Sequence, residues 1–266
     1  MEAQESQSTE PEDLPQAQPP SPRLKAGPVL AVFALYFTIQ VLTGFVVGVV
    51  AALIAATQGA NLKDPQTVAQ ITQQATPLSV LTAVLFAGII TLFLSARYFS
   101  QAIKDRSLTG AAWVIGPPRS ILMAFGAGIL IALACLFISP LMCPPPDKDA
   151  IGPFTKMATT PGFQRIIVLI IALLLAPPIE ELLFRGLIFG GFSRSFGPTS
   201  SVIITTVLFA GSHVTEAIYF WPAFVFIALM ALAALWFRVK TRSIGPSIAL
   251  HFSYNFILIG TTFLTS

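Results

Sequence analysis

The sequence predicts an all-α protein, a polytopic bundle of about seven or eight transmembrane helices. Of its 266 residues, 55% are hydrophobic and only 10% are charged, whereas a soluble domain is roughly a quarter charged. Mean hydropathy is +0.78, and the apolar residues form runs long enough to cross a bilayer, which takes about 20 residues. The net charge of +3 is too small to indicate a nucleic-acid partner.

The N-terminal segment differs from the rest of the chain, because it is polar and rich in Pro, Gln and Ser. Such a segment cannot bury enough apolar surface to become ordered. We therefore predict a disordered cytoplasmic tail over residues 1–24. Residues 25–160 are expected to hold the N-terminal transmembrane spans.

Seven apolar runs account for the predicted spans, and each is a candidate bilayer crossing by its length and composition. They cover approximately residues 28–57, 78–99, 121–141, 165–194, 200–214, 218–237 and 244–264.

The fourth run is ambiguous because it contains Pro177 and Pro178. Proline removes a backbone donor and clashes with the preceding turn, so it either breaks or kinks a helix. We favour one long kinked crossing from Arg165 to Arg194, because the basic loops then alternate in phase along the chain. A break at the prolines would instead add a shorter helix and change the count by one.

The basic residues indicate the orientation, since Lys and Arg are enriched in cytoplasmic loops. They cluster before the first span, between the second and third, after the fourth, and between the sixth and seventh. This pattern predicts an integral, multi-pass protein of the cell (inner) membrane with a cytoplasmic N-terminus. With seven crossings, the C-terminus would lie outside.

Three charged residues, Glu180, Glu181 and Arg185, interrupt the fourth run. Hydrocarbon penalises such charges unless they are paired or face a wet cavity. Glu181 and Arg185 are four residues apart, with Glu first, which favours a helical ion pair. Glu180 is rotated by about 100° from Glu181. It therefore stays available to a neighbouring helix as the reactive carboxylate.

Polar residues also interrupt the fifth and seventh runs, which contain the only two histidines, His213 and His251. At about 1.5 Å per residue, Glu180 lies roughly 21 Å from the basic end of its span and His213 about 20 Å. His251 and Asn255 lie about 12 and 18 Å deep. Phe209 shares a helix face with His213. Three segments distant in sequence thus bring polar groups to similar depths.

This set of groups fits hydrolysis of a peptide bond, which needs a deprotonated water and a stabilised oxyanion. Glu180 with His213 can supply the first, and His251 with Asn255 can supply the second. As an alternative, Glu180, His213 and His251 could hold a divalent metal such as zinc, although no HExxH motif is present. We favour the metal-free version. Glu216, at a helix end, is expected to be solvated.

These residues resemble the motifs of the CPBP family of membrane proteases. Glu180 to Arg185 resembles the EExxxR motif, Phe209 to His213 the FxxxH motif, and His251 to Asn255 the HxxxN motif. The family includes the type II CAAX prenyl proteases and bacteriocin-processing or immunity-related (Abi-like) proteins. The resemblance implies that residues 161–266 form the catalytic transmembrane core of an intramembrane endopeptidase, of glutamic or metallo type.

The resemblance also implies roles and partners. Glu180 and His213 would activate water, His251 and Asn255 would stabilise the oxyanion, and Glu181, Arg185 and Phe209 would support the site. The site would open toward the cytoplasmic leaflet. CAAX-type processing of a C-terminus would be one possible reaction. The expected partners are membrane lipid and a protein or peptide substrate, prenylated in the CAAX case.

Two other functions compete with this one. A non-catalytic membrane scaffold or immunity protein could use the same fold. An ion-coupled transporter ranks lower, because it predicts inverted repeats with paired broken helices, and the first half has no break to match Pro177 and Pro178.

Overall fold

The computed structural model describes residues 24–144 and 151–265 of the chain. Within these ranges the secondary structure is entirely helical, which confirms the predicted all-α fold class. The predicted tail lies outside the described residues except for Leu24, whose side chain is buried.

Eleven α-helices and two π-helical segments follow one another in the described ranges. In chain order they are α1 (Ala26–Thr57), α2 (Pro65–Tyr98), α3 (Ser100–Ile103), α4 (Pro118–Met142), α5 (Pro153–Thr159), α6 (Phe163–Leu169), π1 (Ile170–Leu175), α7 (Ala176–Glu181), π2 (Leu182–Ile188), α8 (Phe189–Gly211), α9 (Val214–Ala217), α10 (Trp221–Thr241) and α11 (Gly245–Thr265).

Six helical stretches in the described chain are long and apolar enough to cross a membrane. The predicted count of seven or eight is therefore wrong by this measure. The predicted fourth and fifth spans both lie in one helical stretch from Phe163 to Gly211. This stretch bends at Gly197, where the backbone takes φ 79° and ψ 163° and Pro198 follows. Glycine tolerates that conformation, so the chain turns there without an intervening loop.

The same stretch passes through Pro177 and Pro178 without a break, as favoured from the sequence. Two π-helical segments flank α7, which contains both prolines. Wider π-turns relieve the crowding that a proline causes in a helix, and they are frequent at functional sites. The carboxylates Glu180 and Glu181 follow at the end of α7.

Helix α2 begins earlier than the apolar pattern predicts, at Pro65 rather than near residue 78. The Asp64 carboxylate caps it by accepting hydrogen bonds from the backbone N–H groups of Gln66 and Thr67. The hydroxyl of Thr67 also donates to this carboxylate. These hydrogen bonds, chiefly those from Thr67, hold the pKa of Asp64 below its ordinary value. A good N-cap thus extends the helix through a polar segment.

Helix α11, which carries His251 and Asn255, packs mainly against α4. Small residues of α4 line this contact, and Gly128 faces the Leu250 carbonyl and the Ser253 hydroxyl. The Ser253 hydroxyl donates to the Phe125 carbonyl across the two helices, at 2.8 Å. Small residues let transmembrane helices approach closely, and this approach fixes the position of the histidine-bearing helix.

We expect Gly128→Ala to destabilise the protein by about 1–3 kcal/mol, the usual cost of an overpacked contact. The added Cβ would collide with the Ser253 hydroxyl and the Leu250 backbone. The measurement is the midpoint of thermal unfolding in detergent. Gly126→Ala on the same helix is the matched control, because a Cβ there meets nothing within 4 Å. Equal midpoints for the two variants would contradict this packing.

Candidate active site

A fully buried carboxylate, that of Glu181, lies at the centre of the candidate site. Its Oε1 atom lies 3.1 Å from a guanidinium nitrogen of Arg185 and 2.9 Å from Nδ1 of His251. Neither Glu181 nor Arg185 has any exposed surface. The ion pair expected from the spacing of four is present, and the contact with His251 adds a second helix to it.

Arg185 is held from three other sides. Its Nη2 atom donates to the carbonyl of Ala231 in α10 at 3.3 Å, and its guanidinium lies 4.2 Å from the centre of the Phe209 ring. Its own carbonyl accepts a hydrogen bond from Nε of buried Arg238 at 3.2 Å. A guanidinium over an aromatic face gains cation–π attraction, so Phe209 contacts the site directly through this stacking.

The contact with Glu181 orients His251. A carboxylate oxygen accepts, so Nδ1 of His251 carries the hydrogen and donates it. The other ring nitrogen, Nε2, then points to Glu180, with 3.9 Å between Nε2 and Oε2. That distance is too long for a direct hydrogen bond. Among the described residues, this buried oxygen of Glu180 has no hydrogen-bond partner, while the Glu180 side chain as a whole is half-buried.

His213 lies at the turn between α8 and α9. Its Nδ1 atom is 2.9 Å from the carbonyl of Phe209 and 3.2 Å from the hydroxyl of Ser212. Since a carbonyl only accepts, Nδ1 is the protonated nitrogen, and Nε2 is left as the basic one. The Phe209 and His213 rings are 4.8 Å apart between centres, in keeping with the expectation that they share a face.

Asn255 lies one turn beyond His251 on α11 and faces π1. Its Nδ2 atom donates to the carbonyl of Ala172 at 2.9 Å. An amide nitrogen carries two hydrogens, so one of them remains for another acceptor.

The structure brings the four predicted catalytic residues into one cavity of about 390 Å³. Its walls come from seven parts of the chain, α1, α2, α5, the π1–π2 stretch, the turn around α9, α10 and α11. The four residues that line it as predicted are Glu180, His213, His251 and Asn255. Glu181 and Arg185 lie behind this wall, where they hold His251.

The predicted site gave no role to several polar residues of the cavity wall, among them Tyr36, Gln40 and Glu216. Tyr36 and Gln40 reach it from α1, four residues apart on one helix face, and share a hydrogen bond. Glu216 lines the cavity near α9, and its carboxylate accepts hydrogen bonds from α5. Glu216 is therefore half-buried and hydrogen-bonded to α5, in addition to the solvation expected from the sequence. The spacing of Tyr36 and Gln40 within an apolar run was the available signal.

The metal alternative is not supported by the arrangement of possible ligands. Across residues 24–144 and 151–265, no group of three or more His, Cys, Asp or Glu side chains is placed to hold a metal ion. We therefore assign no catalytic step to a metal held by Glu180, His213 and His251.

Comparison with protein families agrees with the resemblance seen in the motifs. Residues 162–257 match the family model described as "Type II CAAX prenyl endopeptidase Rce1-like". This match confirms the resemblance to the CPBP family and supports a CAAX-type intramembrane protease at the level of the family. Helices α1 and α2 lie outside the matched residues. Searches of curated proteins and of solved structures found no match.

We expect Arg185→Met to cost about 3–5 kcal/mol, the usual penalty for leaving one buried charge without its partner. Glu181 would keep only His251 as a partner in a fully buried position. The measurement is the thermal unfolding midpoint, compared with that of Arg119→Met at the exposed start of α4. Exposed sites of this kind usually change stability by no more than about 0.5 kcal/mol. Similar midpoints for both variants would show that the buried ion pair does not stabilise the fold.

Proposed function

We propose that this chain is an intramembrane endopeptidase in which Glu180 and His213 activate a water molecule. The single observation that carries the proposal is the convergence of Glu180, His213, His251 and Asn255 on one cavity among transmembrane helices. The family match over residues 162–257 supports the reaction class.

The geometry suggests how the proton moves. The Glu180 side chain lines the cavity, so its carboxylate can take the proton from a water whose oxygen attacks the peptide carbonyl carbon. Basic Nε2 of His213 can orient that water. Glu180 then returns the proton to the leaving amide nitrogen as the C–N bond breaks. A positioned general base of this kind contributes about 10²–10⁴-fold in rate.

The oxyanion needs donors that are in place before the reaction. Asn255 has an N–H left after its bond to Ala172, and His251 can donate from Nε2 when that nitrogen is protonated. Glu181 fixes the ring of His251 through Nδ1. In this mechanism Glu181 and Arg185 act as positioning residues.

The cavity wall also bears on the substrate. Most of its side chains are apolar, including Phe37, Val84, Ile227 and Leu258, so it suits an extended segment with apolar side chains. An apolar wall also limits bulk water and strengthens the electrostatic interactions inside. Processing of a prenylated CAAX protein and cleavage of an unmodified membrane polypeptide are the two substrate classes that the family resemblance offers.

Glu180→Gln is expected to lower hydrolysis by about 10²–10⁴-fold, because the amide keeps the shape but cannot accept the proton. The measurement is comparative proteomics of membranes from cells that carry the parent or the variant, in which uncut substrate should accumulate. An unchanged unfolding midpoint of the purified variant serves as the folding control. If the variant cleaves the accumulated substrate as fast as the parent does, the mechanism is wrong.

Tyr36→Phe is expected to slow hydrolysis by about ten- to a hundredfold, in line with the loss of a hydrogen bond to a charged group. Tyr36 lines the same cavity as Glu180, and a phenolic hydroxyl can donate a hydrogen bond to a group in that cavity. The effect should appear in kcat more than in KM, measured on the substrate identified above. The control is Tyr98→Phe, at the exposed end of α2. Equal rates for Tyr36→Phe and the parent would remove Tyr36 from the mechanism.

A further inference from the structure

One end of the bundle, here called the basic end, contains the start of α1, the stretch near Arg194, the loop before α4, the end of α10 and the start of α11. At this end the start of α1 meets the stretch near Arg194, since a Cβ on Gly191 would lie 3.4 Å from the Lys25 carbonyl. Arg106 donates to the carbonyls of Thr241 and Arg242, both at 3.2 Å. These contacts join the loop after α3 to the end of α10.

The opposite end, here called the mouth end, contains the turn between α1 and α2, helix α5, the start of α6, helix α9 and the end of α11. Glu216, beside α9, accepts hydrogen bonds from the Phe154 N–H at 2.8 Å and the Thr155 hydroxyl at 2.9 Å. The guanidinium of Arg165, near the start of α6, lies 5.2 Å from the ring centre of Phe263, near the end of α11. Helix α5 therefore lies across this end and is tied to it by Glu216.

The two ends differ strongly in positive charge. The mouth end carries Lys63, Lys156 and Arg165 among its described residues, along with Asp64 and Glu216. The basic end carries nine Lys and Arg residues in the same ranges: Lys25, Arg97, Lys104, Arg106, Arg119, Arg194, Arg238, Lys240 and Arg242. Because Lys and Arg are retained on the cytoplasmic side, this asymmetry makes the basic end cytoplasmic.

The catalytic cavity extends from Glu180 to the mouth end. Its wall includes Thr155 of α5, Thr215 and Glu216 beside α9, and Thr262 near the end of α11. Thr155 and Thr215 are exposed, so they mark the opening. Residues of the loops at the basic end do not contribute to the wall within the described part of the chain. The cytoplasmic opening that the family resemblance implied therefore disagrees with this combination of charge and geometry.

We propose that the site receives its substrate from the extracytoplasmic side, and that the substrate is an extracytoplasmic segment of a membrane-bound polypeptide; this rests on the proposed peptidase function. A cytosolic C-terminal tail would approach the basic end, where the wall of the cavity is closed by packed helices. The wall residues that are exposed to solvent, Thr155 and Thr215, instead lie at the mouth end.

The charged residues of the cavity wall favour a substrate that is cleaved within its chain over one that places a free terminus in the cavity. The described wall contains the carboxylates of Glu180 and Glu216, two histidines and neither Lys nor Arg. A free terminal carboxylate in the cavity would meet like charges without a permanent cationic partner, which disfavours its binding. An internal segment brings only neutral peptide groups to the site.

The test maps which face of the membrane reaches the cavity, with single cysteines in the full chain and a Cys143→Ser background. The probe is a small, charged, membrane-impermeant methanethiosulfonate, applied to intact cells and to inside-out membrane vesicles. Thr155→Cys reports the opening, Ala176→Cys reports the cavity next to Glu180, and Lys240→Cys is the matched control at the basic end. Buried Cys135 stays in all variants, and the background alone gives its reactivity.

We expect Thr155→Cys and Ala176→Cys to be modified in intact cells, and Lys240→Cys to be modified only in inside-out vesicles. Modification of Ala176→Cys only from the side that modifies Lys240→Cys would overturn the proposal. Modification of Thr155→Cys without any of Ala176→Cys would also overturn it, since the opening would then not lead to Glu180. Labelling does not depend on turnover, so failure of the Glu180→Gln test would reject the peptidase function separately.

Discussion

The buried carboxylate of Glu181 is the constraint on which the rest of the structure depends. A charge without exposed surface in a transmembrane bundle is tolerated only when partners surround it. Arg185 supplies the opposite charge from one turn away, and Nδ1 of His251 supplies a hydrogen bond from a distant helix. Because the same oxygen atom pairs with Arg185 and accepts the hydrogen bond from His251, this one buried charge constrains the position of α11 relative to α7.

A second buried cation, Arg238, connects the Glu181–Arg185 pair to other parts of the chain. Arg238 donates to the carbonyl of Arg185, and its Nη2 atom donates to the carbonyls of Ser107 and Gly110, at 3.0 and 2.7 Å. Its guanidinium also lies 5.6 Å from the centre of the Phe189 ring. Through Arg238, the helix that carries the carboxylates is therefore connected to α10 and to the loop that follows α3. These buried polar contacts link three separate parts of the chain around the candidate site.

The rigid and the open parts of the molecule lie on opposite sides of Glu180. Toward the basic end, the side chains of Arg185, Leu187 and Phe189 are completely buried. Toward the mouth end lies the cavity, whose wall includes α5 and Glu216, joined by hydrogen bonds. A reactive group needs precise support on one side and access on the other. The position of Glu180 at the boundary between packed helices and cavity satisfies both needs.

The sequence by itself determined the helical membrane fold and the Glu181–Arg185 pair, because hydrophobic length and a spacing of four are local properties. It also indicated which polar groups share a depth, since helical rise is constant. Only the tertiary structure decided that Glu181 also binds His251, that Tyr36 and Gln40 join the wall from outside the recognised motifs, and that two predicted spans form one bent stretch. These features depend on the rotation and tilt of helices far apart in sequence, which are set by close packing, as at Gly128, and not by any single segment.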